Sequence, residues 1–137
     1  MRNPRLLVLL AGDVITLAVV TLVGFASHNE LGSAGARMLT TFIPLLAALL
    51  LVAPHLGAFD LQRSTEFRQL WRPFWAMVLA APLAGWMRGA WLNAPILPVF
   101  VVILGGISAL ALFVWRLIYC WALSRWGGFI RGSALHG

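Results

Sequence analysis

The chain has 137 residues, of which 61% are apolar and only 10% charged. A soluble domain is about 45–50% apolar and about 25% charged; so few charges cannot cover a soluble surface, and the composition is that of an integral membrane protein. The net charge of +6 is carried by Arg without Lys, and these arginines flank apolar segments, which is the positive-inside pattern and not the clustered footprint of a nucleic-acid binder.

Four apolar runs reach the roughly 20 residues that cross about 30 Å of hydrocarbon. The first covers about 6–27 and is interrupted only by Asp13. A signal-peptide core is about 7–15 residues and lacks an internal carboxylate. This run is longer and holds Asp13, so a retained helix is expected. Residues 28–37 read as a short loop containing His28, Glu30 and Arg37. The second run covers about 38–56 and contains Pro44.

The connection over 58–73 is the most polar part of the chain, with Asp60, Arg63, Glu66, Arg68 and Arg72. Within it Phe67, Leu70, Trp71 and Phe74 follow the i, i+3, i+4, i+7 spacing of one helical face. Two readings stay open there: an amphipathic turn lying in the membrane interface, or a solvated loop. The third run covers about 74–92, with Pro82 and Arg88; Asn93 to Pro95 then forms a tight hairpin. The fourth covers about 96–122 and contains Arg116. It is longer than a span needs, so it either tilts or projects beyond the membrane. The expected fold is all-α: a single domain of four transmembrane helices in a compact bundle.

Arginine asymmetry sets the orientation. Arg2, Arg5, Arg63, Arg68, Arg72, Arg125 and Arg131 would share one side of a four-span chain, against Arg37 and nearby Arg88 on the other. Both termini are therefore expected to be cytoplasmic, with the chain in the plasma (inner) membrane. Trp71, Trp75, Trp121 and Trp126 would then lie near the inner interface, and Trp86 and Trp91 near the outer one, as aromatic belts do.

Charges inside spans cost about 2.5–3.5 kcal/mol each on insertion scales and normally face the bundle interior. Asp13, Arg88 and Arg116 are those residues. At 100° per residue, Thr16, Gly24, Ser27 and His28 lie within about 60° of Asp13 around its helix. Gly105 and Ala109 lie within about 20° of Arg116, and Cys120 within about 40°. Ala81, Ala84 and Gly85 share the Arg88 face. Small residues let membrane helices approach closely, so these faces are expected to be helix contacts. Asp13 and Arg116 would sit at matching depths, roughly 10 Å and 9 Å in at 1.5 Å per residue. Opposite charges at one depth should pair. Near the other surface Arg88 comes within reach of His28 and Glu30. The candidate polar site is thus Asp13, Arg116, Arg88, His28 and Glu30. Its plainest role is to lock the bundle; the competing role is to line a path for a substrate or proton.

Other chemistry is poorly supported. His28 and His55 fall at opposite ends of their spans and cannot share a haem iron, and His136 lies in the tail. A single cysteine, Cys120, forms no intramolecular disulfide. No metal or cofactor is expected, and no nucleophile, base and orienter fall together as an enzyme would need.

The order of these features resembles one known family. It is the group of small four-helix prokaryotic integral membrane proteins called DUF3054, a domain of unknown function. The resemblance rests on Asp13 early in the first helix, Gly24 to His28 at its end, and Thr41 to Pro44 in the second. Pro82 with Arg88 in the third and Trp115-Arg116 in the fourth complete it. Members commonly carry Arg after the Gly near the end of the first helix, where this chain has Phe25. The resemblance implies a four-helix membrane fold and no established activity. Two roles follow as expectations. One is a non-enzymatic accessory or assembly component that binds other membrane proteins. The other is a small oligomeric transporter or channel built around Asp13, Arg88 and Arg116. The lipid bilayer is the expected surrounding, with copies of the chain or other membrane proteins as partners.

Overall fold

The computed structural model describes residues 3–28, 32 and 35–134, with side chains as far as 127, and the described residues contain helices and turns without strands. Helix α1 covers Pro4–Ser27. Asn3 caps it by accepting from the Arg5 amide at 3.2 Å, and Pro4 stands at a first-turn position where a missing N–H costs nothing. Helix α2 covers Gly35–Val52 and tightens into a 3₁₀ turn over Ala53–Leu56. Gly57 stops that turn in the left-handed conformation, at φ 66°, which suits a residue without a Cβ.

The polar connection is not a plain loop but takes up two short helical turns. It folds into a one-turn helix α3, Leu61–Ser64, and a 3₁₀ turn, Phe67–Gln69. Asp60 caps α3 by accepting from the Gln62 amide at 3.0 Å. Of the spaced apolar set, Leu70 is buried while Phe67 and Trp71 are about half exposed, at 49% and 47%, so the set does not form one buried face. Helix α4 covers Trp71–Leu92 and begins earlier than the hydropathy run. Asn93 ends it at φ 47°, and the Ala94 amide reaches back to the Gly89 carbonyl at 3.0 Å. This is a Schellman-type stop. Helix α5 covers Pro98–Ala134. It starts later than the sequence suggests, at a proline, and continues well past residue 122.

The long helices form a ring. α4 packs mainly on α2 and α5, and α1 packs on α5 and α2. The core where they meet is rich in alanine: Ala76, Ala80 and Ala84 from α4 meet Leu45, Ala48 and Leu49 from α2, with Leu17, Ala109 and Leu112. The expected Ala81 and Ala84 face of α4 is buried. Gly105 of α5 comes so near that a Cβ there would lie 2.5 Å from Ala81 Cβ. Small side chains on both helices allow this approach. Outward, the helices present Ile, Leu, Val and Trp. Helices Pro4–Ser27, Gly35–Leu56 and Pro98–Gly127 are long and apolar enough to cross a membrane, which is the character of a membrane protein. α4 is not one of these three; its Trp, Pro, Gly and Arg residues dilute its hydropathy.

Candidate functional site

Asp13 of α1 and Arg116 of α5 meet inside the bundle. Arg116 Nε donates to Asp13 Oδ1 at 2.9 Å and Nη2 donates to Asp13 Oδ2 at 2.6 Å. This is the two-pronged fork that guanidinium and carboxylate planes favour. The side chains are only 2% and 4% exposed, so the pair is withdrawn from solvent and lipid alike. The remaining donor, Nη1, gives to the Ala58 carbonyl at 2.9 Å. The Arg116 guanidinium carbon also sits 6.0 Å from the centroid of the Phe59 ring. All three nitrogens of the guanidinium are therefore engaged.

The Ala58 carbonyl is the element that sequence reasoning missed. It carries no side-chain signal, because it is backbone presented by the turn that Gly57 makes. The same oxygen accepts from Ser64 Oγ at 2.9 Å, and Cys120 Sγ gives to the Ser64 carbonyl at 3.3 Å. The connection is thus stitched over the Asp13–Arg116 pair from α5. Tyr119 adds a tie to the start of α1, donating to the Arg5 carbonyl at 3.1 Å. Gly105, Ala109 and Cys120 share the buried side of α5 with Arg116.

Trp115 completes the α1–α5 seam. Its ring lies on Gly12, where an added Cβ would come within 1.8 Å of Trp115 Cζ2. Its indole N–H is buried without a hydrogen-bond partner among the described residues. The inward face of α1 is Leu9, Gly12, Asp13, Leu17 and Thr21, not the expected polar face. Thr16 turns back on its own helix, donating to the Gly12 carbonyl at 2.7 Å. Gly24, Ser27 and His28 are exposed at the far end.

Arg88 stands apart from the pair. It is half-buried on α4, and its Nε donates to Thr41 Oγ1 of α2 at 3.2 Å. Its guanidinium carbon lies 5.0 Å from the centroid of the Phe100 ring. Of its two expected partners, His28 is exposed at the end of α1, and Glu30 lies outside the described residues. Of the four described candidates, Asp13 and Arg116 form a closed ion pair, while Arg88 and His28 stand apart from it.

These features define a class first: an all-helical membrane protein whose first and last long helices are joined by a buried ion pair. Within that class the chain belongs to the family described as Protein of unknown function (DUF3054), which it matches over residues 10–119. Neither the curated proteins nor the solved structures gave a match.

Proposed function

We propose that this chain is a non-enzymatic accessory or assembly component of a membrane complex, a four-span inner-membrane protein with both termini in the cytoplasm. The observation that carries this reading is the engagement of all three Arg116 guanidinium nitrogens by both Asp13 oxygens and the Ala58 carbonyl. A buried charge paired with a carboxylate and bonded through all three guanidinium nitrogens to its own chain acts as a fixed strut, since a passing ion or substrate would have to break buried bonds to engage it. The strut leaves the outer helix faces to interact with lipid and other membrane proteins.

The topology has support of its own. α4 has 22 residues, about 33 Å at 1.5 Å per residue, which suffices for a fourth span. Arg5, the 58–64 segment and residues 116–120 touch one another at one end of the bundle. The same end gathers most of the arginines, as the positive-inside rule requires of a cytoplasmic surface.

Purification of the full chain in a mild detergent tests the role. A stable, stoichiometric foreign membrane protein is the expected result. A pure homo-oligomer that carries ions or solutes across reconstituted vesicles would overturn it in favour of a transporter. Reporter fusions test the topology: alkaline phosphatase joined after Gly137 should be inactive, and the same reporter placed within residues 32–35 should be active. The reverse pattern defeats the orientation.

A further inference from the structure

Gly57 lies beside more positive charge than its surroundings neutralise. A Cβ built on it would stand 3.1 Å from Arg72 Nη1 and 3.5 Å from Arg63 Nη1, so two guanidinium groups converge on one bare stretch of backbone. A small cleft opens there, and Ser64, Gln69 and Arg116 also line it. The three arginines differ in how their charge is met. Arg116 is neutralised by Asp13. Arg63 reaches Asp60 through Nε at 3.4 Å, in a pair whose side chains are 54% and 42% exposed, and such surface pairs are weak. Arg72 donates to the Gln69 side chain and the Leu56 carbonyl, which hold its position but supply no counter-charge. The 22-residue helix α4 also starts at this point, without a side-chain cap or an acidic residue in its first turn. Its dipole adds positive potential of the same sign.

We propose that this cleft binds a phosphate group, gripped by Arg63 and Arg72 over the Gly57 backbone. Arg63 keeps both terminal nitrogens, and Arg72 keeps Nη2, without a hydrogen-bond partner among the described residues. Forked donors from two arginines match a tetrahedral anion with several oxygens. Gly57 matters because a side chain there would fill the space between the guanidinium groups. The cleft also sits at a membrane boundary. Arg72 stacks over the Trp71 ring at 4.9 Å, and Trp71 and Phe67 stand exposed beside it, as amphipathic rings do at headgroup level. The phosphate comes either from an anionic lipid headgroup or from solution. Neither the accessory role nor the side of the membrane enters this inference.

The test uses the full chain in a neutral detergent and follows its melting temperature. One arm adds sodium phosphate against sodium chloride at matched ionic strength. The other adds phosphatidylglycerol against phosphatidylcholine. A saturable rise over the control is expected in at least one arm; a rise with inorganic phosphate identifies a soluble source, and a rise with phosphatidylglycerol alone identifies a headgroup. Arg63→Gln should melt like the parent without ligand, because among the described residues its side chain makes only the surface pair, and should bind about tenfold more weakly or worse. Asp60→Asn keeps an acceptor for the α3 cap and removes the competing charge, so it should bind at least as tightly as the parent. The proposal is overturned if neither arm exceeds its control, if Arg63→Gln keeps the full ligand-induced rise, or if Asp60→Asn binds more weakly.

Discussion

Arg116 and Arg88 are both arginines within long apolar helices, and the protein treats them differently. Arg116 is 2% exposed and meets a carboxylate, a carbonyl and a ring. Arg88 is half-buried and, among the described residues, meets one hydroxyl and one ring. Burial explains the contrast. Arg88 lies one turn before the end of α4, so its long side chain can carry charge toward the headgroups. A single neutral hydrogen bond and a cation–π contact then suffice. Arg116 is turned into the bundle, where α1 and the turn at Ala58 close over it. Only a full counter-charge offsets the loss of solvent there. Two arginines of equal charge therefore have unequal structural weight.

The sharpest way to break that contrast is to remove one member of the buried pair. Asp13→Ala or Arg116→Ala leaves an uncompensated buried charge and should cost about 3–5 kcal/mol, read as unfolding in a denaturant titration in micelles. Replacing both with apolar residues should recover much of the loss. If the single changes simply add, with no coupling in the double-mutant cycle, the pair is not the strut described above.

A smaller effect is expected from the seams that hold the helices at this spacing. Gly12→Leu drives a side chain into the Trp115 ring, and Gly85→Leu drives one into Val101, whose Cγ2 lies 2.6 Å from the Cβ position. Overpacking of this kind costs about 1–3 kcal/mol. Gly12→Leu should be the more damaging, because the displaced ring lies beside the ion pair. A parental melting temperature for either variant would show that its glycine is not a contact. The smallest effect belongs to Arg88→Met. With one hydroxyl bond and one ring contact at stake, about 1 kcal/mol should be lost. A loss as large as that of Arg116→Ala would abolish the contrast between the two arginines.

Different parts of this architecture left different traces in the sequence. The long helices were legible because hydropathy accumulates over many residues, and the meeting of Asp13 with Arg116 followed from depth and charge alone. The α4 contact face followed from Ala81 and Ala84. The partner of Arg88 is not legible in the sequence: Thr41 stands out there only by its spacing to Pro44, and which helix lies beside α4 is a matter of tertiary packing. The polar face assigned to α1 failed beyond Asp13 because Thr16 and Ser27 satisfy their hydroxyls on their own helix and need no neighbour. The role of Ala58 was hidden because backbone carbonyls look alike in any sequence. The fold of the 53–70 connection depended on single residues, Gly57 and Asp60, whose turn and cap carry no periodic signal.

The ion pair also joins residues 103 positions apart in the chain, and that distance is a delay in synthesis. At about 5–20 residues per second, the ribosome completes Arg116 roughly 5–20 s after Asp13. For that interval α1 holds a carboxylate whose counter-charge does not yet exist. The acid has to wait hydrated near the membrane surface or neutralised by other means. The Ala58 carbonyl is made in between and is ready before Arg116 arrives. The last helix is therefore the keystone of assembly: until α5 is made, Asp13 lacks the partner that neutralises it in the finished fold.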